Sequence, residues 1–101
     1  MSELASWLAR HTAGAPPALR ARVREQALRL EPAADLPAAM ALAGRETLER
    51  VAAHPGDRSV ALDLLAADAL ITLALLAQAQ RAPEELGSFA GSILQAVSPG
   101  T

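Results

Sequence analysis

Val60–Ala79 reads V-A-L-D-L-L-A-A-D-A-L-I-T-L-A-L-L-A-Q-A, and with its flanks it forms a stretch of about 25 residues, 58–82, free of Gly and Pro. No other part of the chain is as long, as apolar or as uninterrupted. Ala and Leu dominate it, and both are strong helix formers. At 100° per residue its large side chains form two faces. One holds Val60, Leu64, Ile71 and Leu75; the other holds Leu62, Leu65, Leu73 and Leu76. Leu70 points a third way, among Ala67, Ala74 and Ala77. A helix apolar nearly all round belongs in the centre of a bundle or in a membrane.

Composition supports the bundle. The 101 residues are 51% hydrophobic but only 2% aromatic, and β-formers are scarce. A core of Leu, Ala and Val suits close-packed helices better than a sheet. A chain of this length buries about 60–65% of its unfolded surface, enough for one modest core. We therefore expect a single helical domain spanning 1–101: an all-α, compact bundle of four to five helices around the central helix at about 58–82. The absence of Cys excludes disulfides and thiol chemistry. All nine basic residues are Arg, and the formal net charge of −2 gives no general attraction to nucleic acid or anionic membrane. Met1–Leu4 has neither the basic nor the apolar region of a signal peptide, so the expected location is cytoplasmic.

The flanking segments read as amphipathic helices. Helix 1, Glu3–Thr12, has Ser2 as its cap and Leu4, Trp7, Leu8 and His11 on one face. Pro16-Pro17 opens helix 2, which extends to Glu31 with Leu19, Val23, Gln26, Ala27 and Leu30 on its stripe. Asp35 caps helix 3, whose stripe is Leu36, Met40, Ala43, Thr47 and Val51. Gly44 lies on the edge of that stripe, where it permits close approach of a neighbour. Glu46–Arg50 and Arg45–Glu49 are i,i+4 pairs, the first in the better orientation. His54-Pro55-Gly56-Asp57 is a turn with Gly56 at φ > 0, and Asp57 caps the central helix. Pro83 starts helix 5, either at a sharp corner or after an earlier end to helix 4. Leu86, Phe89, Ala90, Ile93, Leu94 and Val97 form its stripe, with Gly87 and Gly91 beside it.

The central run is long enough to cross a bilayer. Its nine Leu, Ile and Val residues contribute roughly −4 kcal/mol to insertion, but Asp68 at mid-span costs about +2.5 to +3.5, and Asp63, Thr72 and Gln78 add to that. The sum is near zero or unfavourable, so we expect no membrane span.

Asp63 and Asp68 are the unusual residues of the run. Five apart, they project about 140° from one another and cannot form a dyad on a regular helix. Each either marks a seam between packed faces, pairs with an Arg of helix 2 or 3, or contacts a ligand or partner. Thr72 shares the Asp68 side, and Trp7 is a core or interface anchor. These four residues, Asp63, Asp68, Thr72 and Trp7, are the candidate contacts. His11 and His54 fall in last helical turns, where imidazole meets free carbonyls, and no metal-ligand spacing occurs. Arg20, Arg22, Arg24 and Arg29 split between the two flanks of helix 2, with no aromatic interleaving, which speaks against nucleic acid. No phosphate-binding glycine loop, nucleophile elbow or zincin helix is present. Neither a catalytic constellation nor a cofactor is expected.

Ala67–Ala74, A-D-A-L-I-T-L-A, resembles a helix of trans-prenyl diphosphate synthases. The likeness covers eight residues. The paired D-D-x-x-D motifs of that family are absent and the chain is far shorter than that fold, so it implies neither an activity nor a residue role. The expected function is instead a small non-enzymatic protein–protein interaction module, with self-association as one form. Leu28 and Leu42 lie off their stripes, and helix 4 has more apolar surface than four short neighbours cover. The alternative is a helical domain that binds an apolar or amphipathic small molecule, with Asp63 or Asp68 as the polar contact.

Overall fold

The computed structural model describes residues 3–29, 35–53, 56 and 59–97. The expected roles of Ser2, Leu30, Glu31, His54, Pro55 and Asp57 lie outside these residues. The elements are α1 (Glu3–His11), α2 (Pro17–Leu28), α3 (Leu36–Ala53), α4 (Ser59–Arg81), a 3₁₀ turn (Pro83–Glu85) and α5 (Leu86–Val97). There is no strand among the described residues. The molecule is a bundle with α4 as its hub, packed chiefly against α3 and then α2.

Local signals set the boundaries. Pro17 occupies the first position of α2, where its missing N–H is no loss. Asp35 caps α3: its Oδ1 accepts the Ala38 N–H at 3.0 Å. Gly56 has φ +91°, as the turn between α3 and α4 requires. Helix 4 runs its full length to Arg81, and the corner lies at Ala82, which leaves helical geometry at φ −151°, ψ 78°. Pro83 then begins the short 3₁₀ turn that redirects the chain into α5.

α3 and α4 form an antiparallel hairpin whose contact is made of small residues. A Cβ on Gly44 would sit 2.8 Å from Ile71 Cγ1, 3.3 Å from the Ala67 carbonyl oxygen and 3.4 Å from Leu70 Cβ. The helices therefore meet almost backbone to backbone at mid-length. Asp35 and Arg81, at opposite ends of the hairpin in sequence, pair at 3.9 Å. The core is Leu4, Trp7 and Leu8 of α1, Val23 and Ala27 of α2, Met40 and Ala43 of α3, and Ala66, Leu70, Ala74 and Ala77 of α4.

This arrangement corrects the expected use of α4. The buried face is the third one, with Ala66, Ala67, Leu70, Ala74 and Ala77. The two Leu-rich faces are its flanks, and Leu64, Leu65 and Leu76 stand 49%, 56% and 40% exposed. The reason is close packing: α3 presents Ala39, Ala43 and Gly44, and only a small-residue face can approach that surface.

Two other expectations change. Glu46 meets Arg29 at 3.9 Å rather than Arg50, while the less favourably oriented Arg45–Glu49 pair forms at 3.7 Å. Arg50 turns inward to the buried Gln26 and Thr47, where Gln26 Oε1 also accepts from Arg29 at 2.9 Å. Its guanidinium donates to Gln26 Oε1 and, at 3.2 Å, to Thr47 Oγ1, which in turn donates to the Ala43 carbonyl. Helix 5 is also less covered than its periodicity suggests. Leu86, Phe89, Ala90 and Ile93 are half-buried, and Leu94 is exposed. Leu28 is half-buried against the core, and Leu42 lies in the cleft under α5, so neither is free surface.

Gly44→Val puts three carbons into the tightest point of the α3–α4 contact. Overpacking of this kind costs about 1–3 kcal/mol, and the β-branch adds a helix penalty. We expect a fall in stability of about 2 kcal/mol or more, measured by urea unfolding. Gly44→Ala is expected to lack the stabilisation of about 1 kcal/mol that helix propensity alone assigns to it.

Candidate functional site on helix 4

The sequence-predicted residues fall at three separate places. Trp7 is buried and anchors α1. Its Nε1–H donates to Gln80 Oε1 at 3.1 Å, at the end of α4. The His11 ring stacks on the indole, with centroids 3.9 Å apart and planes 16° from parallel. His11 Nδ1–H donates to the Trp7 carbonyl at 2.9 Å, which leaves Nε2 to accept from Gln80 Nε2 at 3.3 Å. One glutamine thus answers both rings, and the network is a structural latch. Its donors and acceptors are matched within the chain.

Asp63 is a packing residue. It sits on the α2 side of α4, half-buried, with Oδ1 3.2 Å from Arg22 Nε. The contact is an ion pair without hydrogen-bond alignment, because Oδ1 is buried and accepts no hydrogen bond. Arg22 also approaches Glu25 at 3.8 Å. The pairing with an Arg of helix 2 is one of the outcomes the sequence allows.

Asp68 and Thr72 are both exposed. They lie one turn apart on the side of α4 away from α2 and α3, as the shared side read from the sequence requires. Around them stand Ala61, Leu64, Leu65 and Leu76, also exposed, and Leu75 and Ala79, half-buried. The result is an apolar surface with a polar centre. Asp63 is not part of it; the 140° between the two aspartates places them on opposite sides of the helix. Periodicity identifies two carboxylate-bearing sides, and it contains no signal for which side the neighbours cover.

Val60–Arg81 is apolar enough to cross a bilayer, with mean hydropathy 2.1, and 28% of its most apolar window is buried in the bundle. The helix is therefore less covered than a core helix would be.

Several clefts lie elsewhere among the described residues, three of them between or beside helices. Leu8, Thr12, Arg20 and Arg24 line one between α1 and α2. Leu42, Arg45, Phe89 and Ile93 line another between α3 and α5. A third, beside Trp7 and Gln80, adjoins the latch. None of these three is lined by Asp63 or Asp68. Among the described residues no three His, Asp or Glu side chains gather as a metal site.

No family model matches the chain, and neither a search of curated proteins nor one of solved structures finds a match.

Removing Arg22 leaves a buried carboxylate oxygen with no compensating charge. Arg22→Ala is expected to cost about 1–3 kcal/mol. The double change Arg22→Met with Asp63→Leu, which replaces the pair by apolar groups of similar volume, is expected to recover most of that loss. Urea denaturation of the three proteins checks both.

Proposed function

We propose that the protein is a small, non-enzymatic helical interaction module that docks a protein partner on the outer face of α4. The observation that carries this reading is the exposure of Leu64, Leu65 and Leu76 on one side of the hub helix. Scattered single leucines on a surface are ordinary, but an apolar strip along one helix is a cost to solubility that a docking function explains. Helix-against-helix recognition uses just such anchors at i, i+3, i+4 and i+7 spacing. Asp68 and Thr72 supply the polar contacts that orient a partner on an otherwise apolar strip.

The small-molecule alternative, with Asp63 or Asp68 as its polar contact, has less in its favour. Asp63 is committed to Arg22, and Asp68 lies on an open surface. The cleft with the most suitable lining is the one between α3 and α5, where Arg45 would meet an anionic group. At about 190 Å³ it is smaller than the usual ligand pocket of roughly 300–1,000 Å³, and the larger α1–α2 cleft, at about 360 Å³, is lined by neither aspartate.

A photo-reactive benzoylphenylalanine at Leu65, expressed in cells, is expected to form discrete protein adducts. The same group at Ala18, exposed on α2, should form none. Equal labelling at both positions, or none at Leu65, would overturn the proposal.

A further inference from the structure

The outer face of α4 has a symmetry that its other faces lack. Counted outward from Leu70, it reads alike in both directions: Asp68 and Thr72 are two residues away, Leu65 and Leu75 five, Leu64 and Leu76 six, Ala61 and Ala79 nine. Every leucine and alanine on this face has its equivalent, and the one unlike pair joins a hydrogen-bond acceptor to a donor. On the flanks and the covered side the corresponding pairs are Leu62 with Gln78, Asp63 with Ala77 and Val60 with Gln80, which do not match; Ala66 and Ala74 do. The pattern thus belongs mainly to the side that the described residues leave largely exposed.

The spacing has a second property. Residues 61, 65, 68, 72, 75 and 79 step alternately by four and three, which is the seam of a two-helix coiled coil. Two-fold association requires a self-complementary patch, in which residue i meets j and j meets i. A palindromic seam meets that condition for antiparallel helices. Resting on the docking role of this face, we propose that its partner is a second copy of the chain. The two α4 helices pair antiparallel about a two-fold axis at the level of Leu70. In that register Asp68 lies level with Thr72 of the other copy, so each hydroxyl donates to a carboxylate across the seam. Leu65 lies level with Leu75, Leu64 with Leu76, and Ala61 with Ala79. Parallel pairing in register would set Asp68 directly against Asp68, and like charges opposed on a desolvated seam repel. The polar layer therefore selects orientation and register, as single polar seam positions do in coiled coils.

The test uses the absence of native Cys. Ala61→Cys and Ala79→Cys proteins, mixed and mildly oxidised, are expected to form a mixed disulfide far faster than Ala61→Cys forms one with itself. In the antiparallel pair the two 61 positions are about 27 Å apart along the helix, beyond the reach of a disulfide. Sedimentation from about 5 to about 500 µM, which brackets micromolar affinity, should show a monomer–dimer equilibrium. Thr72→Asp sets two carboxylates level with each other and should weaken dimerisation at least about tenfold. Adding Asp68→Thr, which exchanges the two groups, should restore it. Both positions are exposed, so folding is not at stake, and circular dichroism checks that. Preferential disulfides between two 61 positions, or no recovery in the exchanged variant, would overturn the proposal. So would a monomer throughout the range. If that monomer still gives Leu65 adducts with other proteins in cells, the docking role stands and the second copy does not. If it instead sediments with phosphatidylcholine or phosphatidylglycerol vesicles, both fail and the face is a membrane contact.

Discussion

The close approach of α3 and α4 at Gly44 is the constraint on which the remaining structure depends. With no Cβ at that position, Ile71, Leu70 and the Ala67 carbonyl move into the space it would occupy. Helices at this separation must present small residues to each other, and both do: Ala39, Ala43 and Gly44 on one side, Ala66, Ala67 and Ala74 on the other. The gain comes from many short dispersion contacts rather than from any one large side chain. The consequence is a rotation of α4 that places its alanines inside and its leucines on the flanks and beyond. An ordinary amphipathic helix would have them the other way round.

The shorter helices are held by polar contacts as much as by apolar ones. α2 is tied to α4 by Arg22 and Asp63, and to α3 by the Gln26–Arg50–Thr47 chain. α1 is tied to the end of α4 by the Trp7–Gln80–His11 latch. Apart from the exposed Gln80–His11 contact, these are partly screened from water, where a missing partner is expensive, so they fix how each helix is set on the hub. They also account for three of the residues that look functional in the sequence. Trp7, His11 and Asp63 are structural because their partners lie within the chain. Asp68 and Thr72 face outward, and that difference is why the proposed docking surface is drawn around them and their leucine neighbours.

The molecule measures 39 × 36 × 24 Å, and its shortest dimension is about two helix diameters. In a body that thin a hub helix cannot be covered on all sides. One side of α4 receives α3 and α2, α5 lines a cleft with α3, and the strip around Asp68 stays exposed. The proposed association of two such faces would cover the leucines that stay exposed in one chain.

Read by itself, the sequence determined the elements of this protein. The Pro17 and Pro83 starts, the Asp35 cap, the Gly56 turn and the unbroken 58–82 run are local signals, governed by backbone dihedrals and by the nearest few hydrogen bonds. It also determined that Asp63 and Asp68 lie on different sides of α4, since helix geometry alone requires that. Only the tertiary structure decided which side is inside. On the wheel the leucine faces outrank the alanine face in hydrophobicity, yet the alanine face is buried, because the choice rests on how closely α3 can approach. The same is true of Arg50, which leaves its i,i+4 partner for two buried polar groups on other turns. Periodicity records what a helix carries; the shape of the neighbouring surface, which is a property of residues distant in the chain, decides what it hides.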